Sequence, residues 1–383
     1  MEDFDWKKTL KTNILSLKIL GLWPKGNETY KPNSYTAYAA FCVLGLLCSH
    51  SFVQTFNIYF IMDDLEAFTS SIFVTLSCIG TVAKTYYLLQ NMKTLKQLFV
   101  NITDDIFQPR NDRQIRLIQP SILFWRRFYL VFRVLCYNTT FFWSTYPILD
   151  KWTKVHRLPF LAWYPYNSKI SPLYEITYIH QVVSIWYLVS ASLNIDMLIA
   201  ALNMFIGAQC DILCDDLKHL GGDEKEMRSN LINCVKHHRA ILKFAQESNS
   251  FFNWIVLLQF FTSAISVGFT MFQLTLVVPF SGQFYSFICY GNAIIIEMFI
   301  YCWFGNEVEI KSSAIPYAAF ECNWVGVSLP IQKNLVIFTL RTQRPIKLSA
   351  VNLFYLTLDT FKAILRTSWS YFTVLNQANS RSV

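Results

Sequence analysis

Seven apolar stretches, each long enough to cross a bilayer, constrain this chain more than any other feature. They run over about Tyr35–Tyr59, Phe68–Leu89, Phe128–Leu149, Ile176–Ile206, Phe251–Val278, Phe284–Phe304 and Ser349–Leu375. A helix needs about 20 apolar residues to cross the hydrocarbon core, and it satisfies its backbone N–H and C=O groups internally where no water can. The expected fold class is therefore an all-α membrane protein with seven transmembrane helices. Composition agrees, because 53% of the 383 residues are hydrophobic and only 15% are charged, a balance unlike that of an ordinary soluble domain.

The seventh stretch is chemically unlike the others. It contains Asp359, Lys362 and Arg366, together with Asn352, Thr357, Thr360, Thr367, Ser368, Ser370 and Thr373. A charge at mid-bilayer costs about 3 kcal/mol or more, so this helix must turn its polar side towards protein or water. Two readings are open from the residues alone. It is a helix buried among neighbours, with Asp359 and Lys362 neutralising each other at i,i+3, or it lines a pore.

Lys and Arg give an orientation. Twenty-four fall in the amino-terminal segment and in the stretches after spans two, four and six, whereas five fall on the other side. By the positive-inside rule the amino terminus is cytosolic and the carboxyl terminus extracellular. The net charge of +8 then reflects this asymmetry, helped by anionic inner-leaflet lipid, and calls for no nucleic acid. Met1–Lys31 has no apolar core of signal-peptide length and opens with Glu2, Asp3 and Asp5, so no cleaved leader is expected.

The ten cysteines lie in spans or on the cytosolic side, and reduced thiols are expected. Cys210, Cys214 and His219 lack a fourth ligand at suitable spacing, which favours packing over a metal site. His237 and His238, adjacent and on different helix faces, read as solvated. No nucleotide, hydrolase or metalloprotease motif occurs, so the chain does not read as an enzyme and no cofactor is implied.

No repeat or flexible linker divides the chain, so residues 1–383 read as one domain. Residues 1–34 form a short cytosolic segment, 35–304 hold spans one to six, 305–348 form a cytosolic anchor segment and 349–377 form span seven. Apolar spacing at Leu95, Leu98, Phe99, Ile102 and Ile106 extends span two into the cytosol as one long helix. Asp211–Ser250 does the same on either side of a break at Gly221-Gly222, and another helix is expected within Ala318–Leu340. The loop Asp150–Glu175, with Trp152, Trp163, Tyr164, Tyr166 and Tyr174, suits either a membrane-interface belt or a lid over a ligand site. Inside the spans, Asp196 and Glu297 need a cationic partner among Lys84, Arg133 and Arg366.

Aromatic and apolar walls with a few polar groups describe a site for a small neutral molecule. The outer halves of spans two, three, four and six supply such a set: Phe73, Leu76, Ser77, Asn138, Phe142, Trp143, Tyr146, Tyr178, Gln181, Ile185, Phe287 and Tyr290.

Three blocks near the carboxyl end carry a family resemblance. They are Cys302-Trp303-Phe304-Gly305-Asn306-Glu307, Arg341-Thr342-Gln343-Arg344-Pro345 and Trp369-Ser370-Tyr371-Phe372-Thr373-Val374-Leu375. In order and spacing they resemble the C-terminal signature of insect odorant receptors. The resemblance implies an odorant receptor of the plasma membrane of olfactory sensory neurons, forming a heterotetrameric, ligand-gated, non-selective cation channel with the co-receptor Orco. It also implies that odorants bind among the outer helix halves, that the anchor segments meet between subunits, and that Val374 and Gln377 line the narrowest part of the pore. The ending Ala378–Val383 and the short segment before span five depart from the co-receptor pattern, which points to an odorant-tuning subunit. The aromatic content suggests a small aromatic or heteroaromatic odorant. A G-protein-coupled seven-helix chemoreceptor is the alternative. The cytosolic amino terminus opposes it, as does the lack of an acidic-Arg-Tyr block after span three. A transporter would show internal symmetry, and none is visible.

Overall fold

The fold comes from a computed structural model, and the described residues are 4–26, 30–63, 65–149 and 156–382. Helix accounts for 79% of the described residues. The order is α1 (Trp6–Ile19), α2 (Ser34–Ala40), a π-helical segment (Phe41–Cys48) that runs into α3 (Ser49–Ile58), α4 (Leu65–Gln90) and α5 (Met92–Asn101). Then follow α6 (Asp112–Leu149), α7 (Leu173–Lys218), α8 (Glu224–Leu276), α9 (Gly282–Ser313), α10 (Ile315–Phe320) and α11 (Leu329–Thr342). A hairpin of β1 (Ser349–Ala350) and β2 (Phe354–Tyr355) precedes α12 (Leu358–Ser382).

Capping residues set several starts. Asp223 accepts the Glu226 N–H at 2.7 Å, with Glu224 and Glu226 in the first turn of α8 facing the positive end of the helix dipole. Ser281 accepts the Phe284 N–H at 3.1 Å to open α9. The break between α7 and α8 falls at the expected glycines, where Gly222 takes a φ of +99° that few other residues tolerate.

Helix α7 is the hub, packed against α1, α4, α6, α8, α9 and α10. From Leu193 to Cys210 every side chain is buried, which is what a helix apolar around its whole circumference requires. With 46 and 53 residues, α7 and α8 reach about 69 and 80 Å at 1.5 Å per residue, far beyond a hydrocarbon core of about 30 Å. Both therefore continue into a second layer, the base, built with α1, α5, α10 and α11. The amino-terminal segment is stitched to it. Asn13 donates to Asn194 O at 3.0 Å, and Lys96 donates to Pro24 O and Gly26 O at 2.6 Å each. Burial, with Lys18 nearby, pulls the Lys96 ammonium down to about 8.

Among the described residues, five helical stretches are long and apolar enough to cross a membrane: Ser34–Phe60, Ala67–Gln90, Leu173–Lys218, Glu224–Leu276 and Gly282–Phe320. The third and seventh expected spans fall on α6 and α12, where Arg126, Arg127 and Arg133, and Asp359, Lys362 and Arg366, interrupt the apolar runs.

Three expectations change. The continuation of span two is not one helix, because the chain breaks at Asn91 and restarts as α5. The seventh stretch begins as a hairpin, whose turn places Val351 and Asn352 at φ of 50° and 56°, so its helix starts only at Leu358. His237 and His238 are buried, not solvated: His237 meets Gln209 Oε1 at 2.9 Å and the Phe107 ring, and His238 packs on Phe338 of α11.

Helix α12 and the residue Leu356 just before it each meet the bundle at a glycine. An added Cβ on Gly268 of α8 would stand 2.8 Å from Tyr371 Cβ, and one on Gly305 of α9 would collide with Leu356. Gly305→Ala is expected to cost about 1–3 kcal/mol through overpacking. The lower melting temperature of detergent-purified protein would register it. Gly291→Ala, whose new methyl meets Thr270 Cγ2 at an ordinary 3.4 Å, is the control and should melt close to wild type.

Candidate functional site

The site is a column through the bundle, built from short repeats on five long helices. Helix α4 contributes Phe73, Ser77, Thr81 and Lys84, and α9 contributes Phe287, Tyr290, Ala293, Ile294 and Glu297. Steps of three and four keep each set on one helix face.

At the top, residues 156–172 fold over the bundle. Gln181, fully buried on α7, accepts the Phe160 N–H at 3.1 Å and donates to Phe160 O at 3.1 Å and to the Tyr164 hydroxyl at 3.2 Å. Phe160 stacks on Trp143 with centroids 5.5 Å apart and planes 4° from parallel. Trp163 packs against Phe56 and donates its N–H to Val53 O at 3.1 Å. This loop is a docked lid. Trp152 lies outside the described residues.

Below the lid, Phe73 is packed by Trp143, Phe287 and Tyr290 at 6.1, 5.5 and 4.9 Å between centroids. The Tyr290 hydroxyl donates to Phe73 O at 3.0 Å and lies 2.6 Å from Ser77 Oγ. Beneath this pair opens a cavity of about 100 Å³ among α4, α6, α7, α8 and α9. Its walls include Phe132, Cys136, Thr139, Thr140, Leu188, Val189, Ser192 and Gln259.

The floor is ionic. Lys84 Nζ, with its side chain 1% exposed, donates to Asp196 Oδ1 at 2.7 Å, Glu297 Oε1 at 2.8 Å and Ser192 Oγ at 3.1 Å. Tyr301 donates its hydroxyl to Asp196 as well. One ammonium, with all three protons committed, holds two carboxylates that burial would otherwise make very costly. Of the three candidate cations, Lys84 takes both acids. Arg133 lies over the Tyr129 ring at 5.4 Å, and Arg366 is exposed on α12.

The expected ligand residues divide accordingly. Ser77 and Tyr290 line the cavity, with Phe73 and Phe287 in the aromatic layer above it. Gln181 serves the lid, Tyr178 donates to Ser144 O at 2.6 Å, Ile185 is buried in the core and Leu76 is half-buried. Asn138 and Phe142 are exposed on the far side of α6 and do not reach the cavity. Helical phase is the reason: Phe132, Cys136, Thr139 and Trp143 share the inward face, and at about 100° per residue Asn138 and Phe142 rotate off it. The Tyr146 side chain lies outside the described residues. The lining from Thr81, Thr139, Thr140 and Ser192 was missed, although the three- and four-residue steps from Ser77 to Thr81 and Lys84 carried the signal.

A second arrangement lies on α12. Phe361, Ile364 and Leu365 pack on the core and Ser368 is fully buried, whereas Asp359, Lys362, Arg366, Ser370, Val374 and Gln377 are exposed. Those six recur at steps of three and four and form one stripe opposite the packed face. Asp359 and Lys362 pair at 3.2 Å, and the Ser370 hydroxyl bonds back to Arg366 O at 3.1 Å.

Residues 64–369 match the family model described as 7tm odorant receptor. Odorant receptor Or1 of Anopheles gambiae is 23% identical over 98% of this chain and 97% of its own length. Odorant receptor 9a of Drosophila melanogaster is 28% identical over 58% of this chain and 57% of its own. The fold resembles that of the insect olfactory receptor OR5 from Machilis hrabei in complex with eugenol, with a TM-score of 0.88 over 97% of this chain and 98% of that one, at 19% identity.

Proposed function

The chain belongs to the 7tm odorant receptor family, and from that premise we propose that it is the odorant-tuning subunit of a ligand-gated, non-selective cation channel. In this reading it is not an enzyme. It resides in the plasma membrane of olfactory sensory neurons, with its amino terminus cytosolic and its carboxyl terminus outside. Its partner is the co-receptor Orco in a heterotetramer, and its ligand is a small neutral odorant, with an aromatic or heteroaromatic ring preferred.

The observation that carries the reading is the α12 stripe. A helix whose described charged side chains all face away from its own bundle, with Ser370 and Gln377 on the same stripe, needs water or other subunits there, and a shared pore axis provides both. Val374 supplies the apolar constriction on that stripe and Gln377 sits one turn beyond it. A ring containing valine closes by dewetting, and slight widening admits hydrated cations. The odorant binds in the cavity below Tyr290 and Ser77, under the Phe160 lid. It favours the open channel only by the difference between its affinities for the open and closed packings.

Whole-cell recording during an odorant panel tests the proposal. Cation currents are expected when this chain is expressed with the co-receptor and not when it is expressed alone. Robust currents from the chain alone would remove the requirement for a partner. An amino-terminal tag reached by antibody on intact cells would overturn the orientation and favour the G-protein-coupled alternative.

A further inference from the structure

The hydrogen-bond inventory of the cavity is lopsided. Its hydroxyl protons are already committed: Thr81 donates to Ser77 O, Thr139 to Leu135 O and Thr140 to Cys136 O, each at 2.9 Å. Tyr290 donates to Phe73 O, and Ser77 is within reach of that same carbonyl at 3.2 Å. Ser192 stands 3.4 Å from both Asp196 Oδ2 and Glu297 Oε1. Lys84 lines up its three protons on Ser192, Asp196 and Glu297. Among the described lining residues, the donors left over are the thiol of Cys136, which is weak, and the second amide proton of Gln259, whose first goes to Ser263 Oγ at 2.8 Å.

Acceptors, by contrast, are in surplus. Every hydroxyl keeps lone pairs, and one ammonium faces Asp196 and Glu297, both of which line the cavity. A ligand that offers only an acceptor finds little to bond here and pays for its own desolvation. A ligand that offers a proton finds acceptors that would otherwise go unmatched.

We infer that the cavity selects odorants carrying a hydrogen-bond donor, meaning alcohols, phenols or amines, over acceptor-only analogues such as ethers, esters and ketones. The inference rests on the odorant-receptor reading and adds the ligand class to it. Glu297 is the specificity-determining residue, because Asp196 already accepts from both Lys84 and Tyr301, whereas Glu297 has only Lys84 at short range and Ser192 at 3.4 Å. An alcohol, a phenol or a neutral amine uses it directly.

The experiment compares matched probes on the chain co-expressed with the co-receptor: 2-phenylethanol against its methyl ether, hexan-1-ol against its methyl ether, and 2-phenylethylamine, alongside a broad odorant panel. The donor of each pair is expected to be about tenfold more potent, as one unmatched polar group predicts. Glu297→Gln keeps Lys84 paired with Asp196 and presents an amide that both accepts and donates. The gap should therefore narrow because the ether gains potency, a change that a general loss of packing would not give. The wild-type comparison stands even if that variant reaches the surface poorly. Ethers equal to or better than their alcohols, or a panel whose agonists are all acceptor-only, would overturn this inference and leave the function intact. No current from any odorant with both subunits at the surface would overturn the proposed function, and this inference with it.

Discussion

Lys84→Met is expected to remove folded protein from the cell surface. The substitution leaves Asp196 and Glu297 facing each other in a site where the ammonium had been 2.7 and 2.8 Å from each. Breaking a buried ion pair by deleting one partner costs about 3–5 kcal/mol, a large share of what holds any fold together. Surface biotinylation and melting of detergent-purified protein should both fall. The triple variant Lys84→Met, Asp196→Asn, Glu297→Gln tests the cause. It removes the stranded charges along with their partner, so it should recover much of the lost surface protein. Normal surface levels for Lys84→Met alone would show that the acids do not depend on the lysine.

Val374→Ser is expected to give current in the absence of odorant. Valine at a constriction denies water any partner, whereas a hydroxyl offers one and lowers the barrier to wetting. One altered subunit in a mixed ring gives a partial leak, measured as resting current blocked by a pore blocker. Val374→Cys gives the sharper measurement, since a thiol reagent applied outside during odorant exposure should reduce the current. Thr373, half-buried and rotated by about 100°, is the comparison. Block through a cysteine at 373 with none through one at 374 would move the pore face.

The long helices were legible because their apolar runs exceed any strand, and the break at Gly221-Gly222 was legible because glycine marks it. The hairpin before α12 was not. Ser349-Ala350-Val351-Asn352-Leu353-Phe354-Tyr355 is as apolar as a helix start, and only the paired backbone and the left-handed turn at Val351 and Asn352 distinguish it. The ionic floor was legible as two acids, Asp196 and Glu297, in want of a cation, since charges inside spans demand pairing. That Lys84 serves both acids depends on how α4, α7 and α9 are rotated against one another, which hydropathy does not encode. The same limit explains Asn138 and Phe142: their types suit a pocket, but the phase of α6 turns them outward. Thr81, Thr139 and Thr140 were passed over because threonine inside an apolar helix commonly bonds to its own backbone, as all three do, while still lining a cavity.

The ribosome releases α12 after α8 and α9, which carry Gly268 and Gly305. Insertion machinery that weighs apolarity alone has little reason to admit a segment bearing Asp359, Lys362 and Arg366. Gly268 offers α12 a template, and Gly305 does so for Leu356 leading into it, because close backbone approach supplies packing that lipid cannot. The seating of α12 is thereby expected to follow the assembly of α8 and α9. A bundle whose glycine notches are misformed would leave α12 unseated, so that the order of the helices acts as a check on whether the earlier ones have packed.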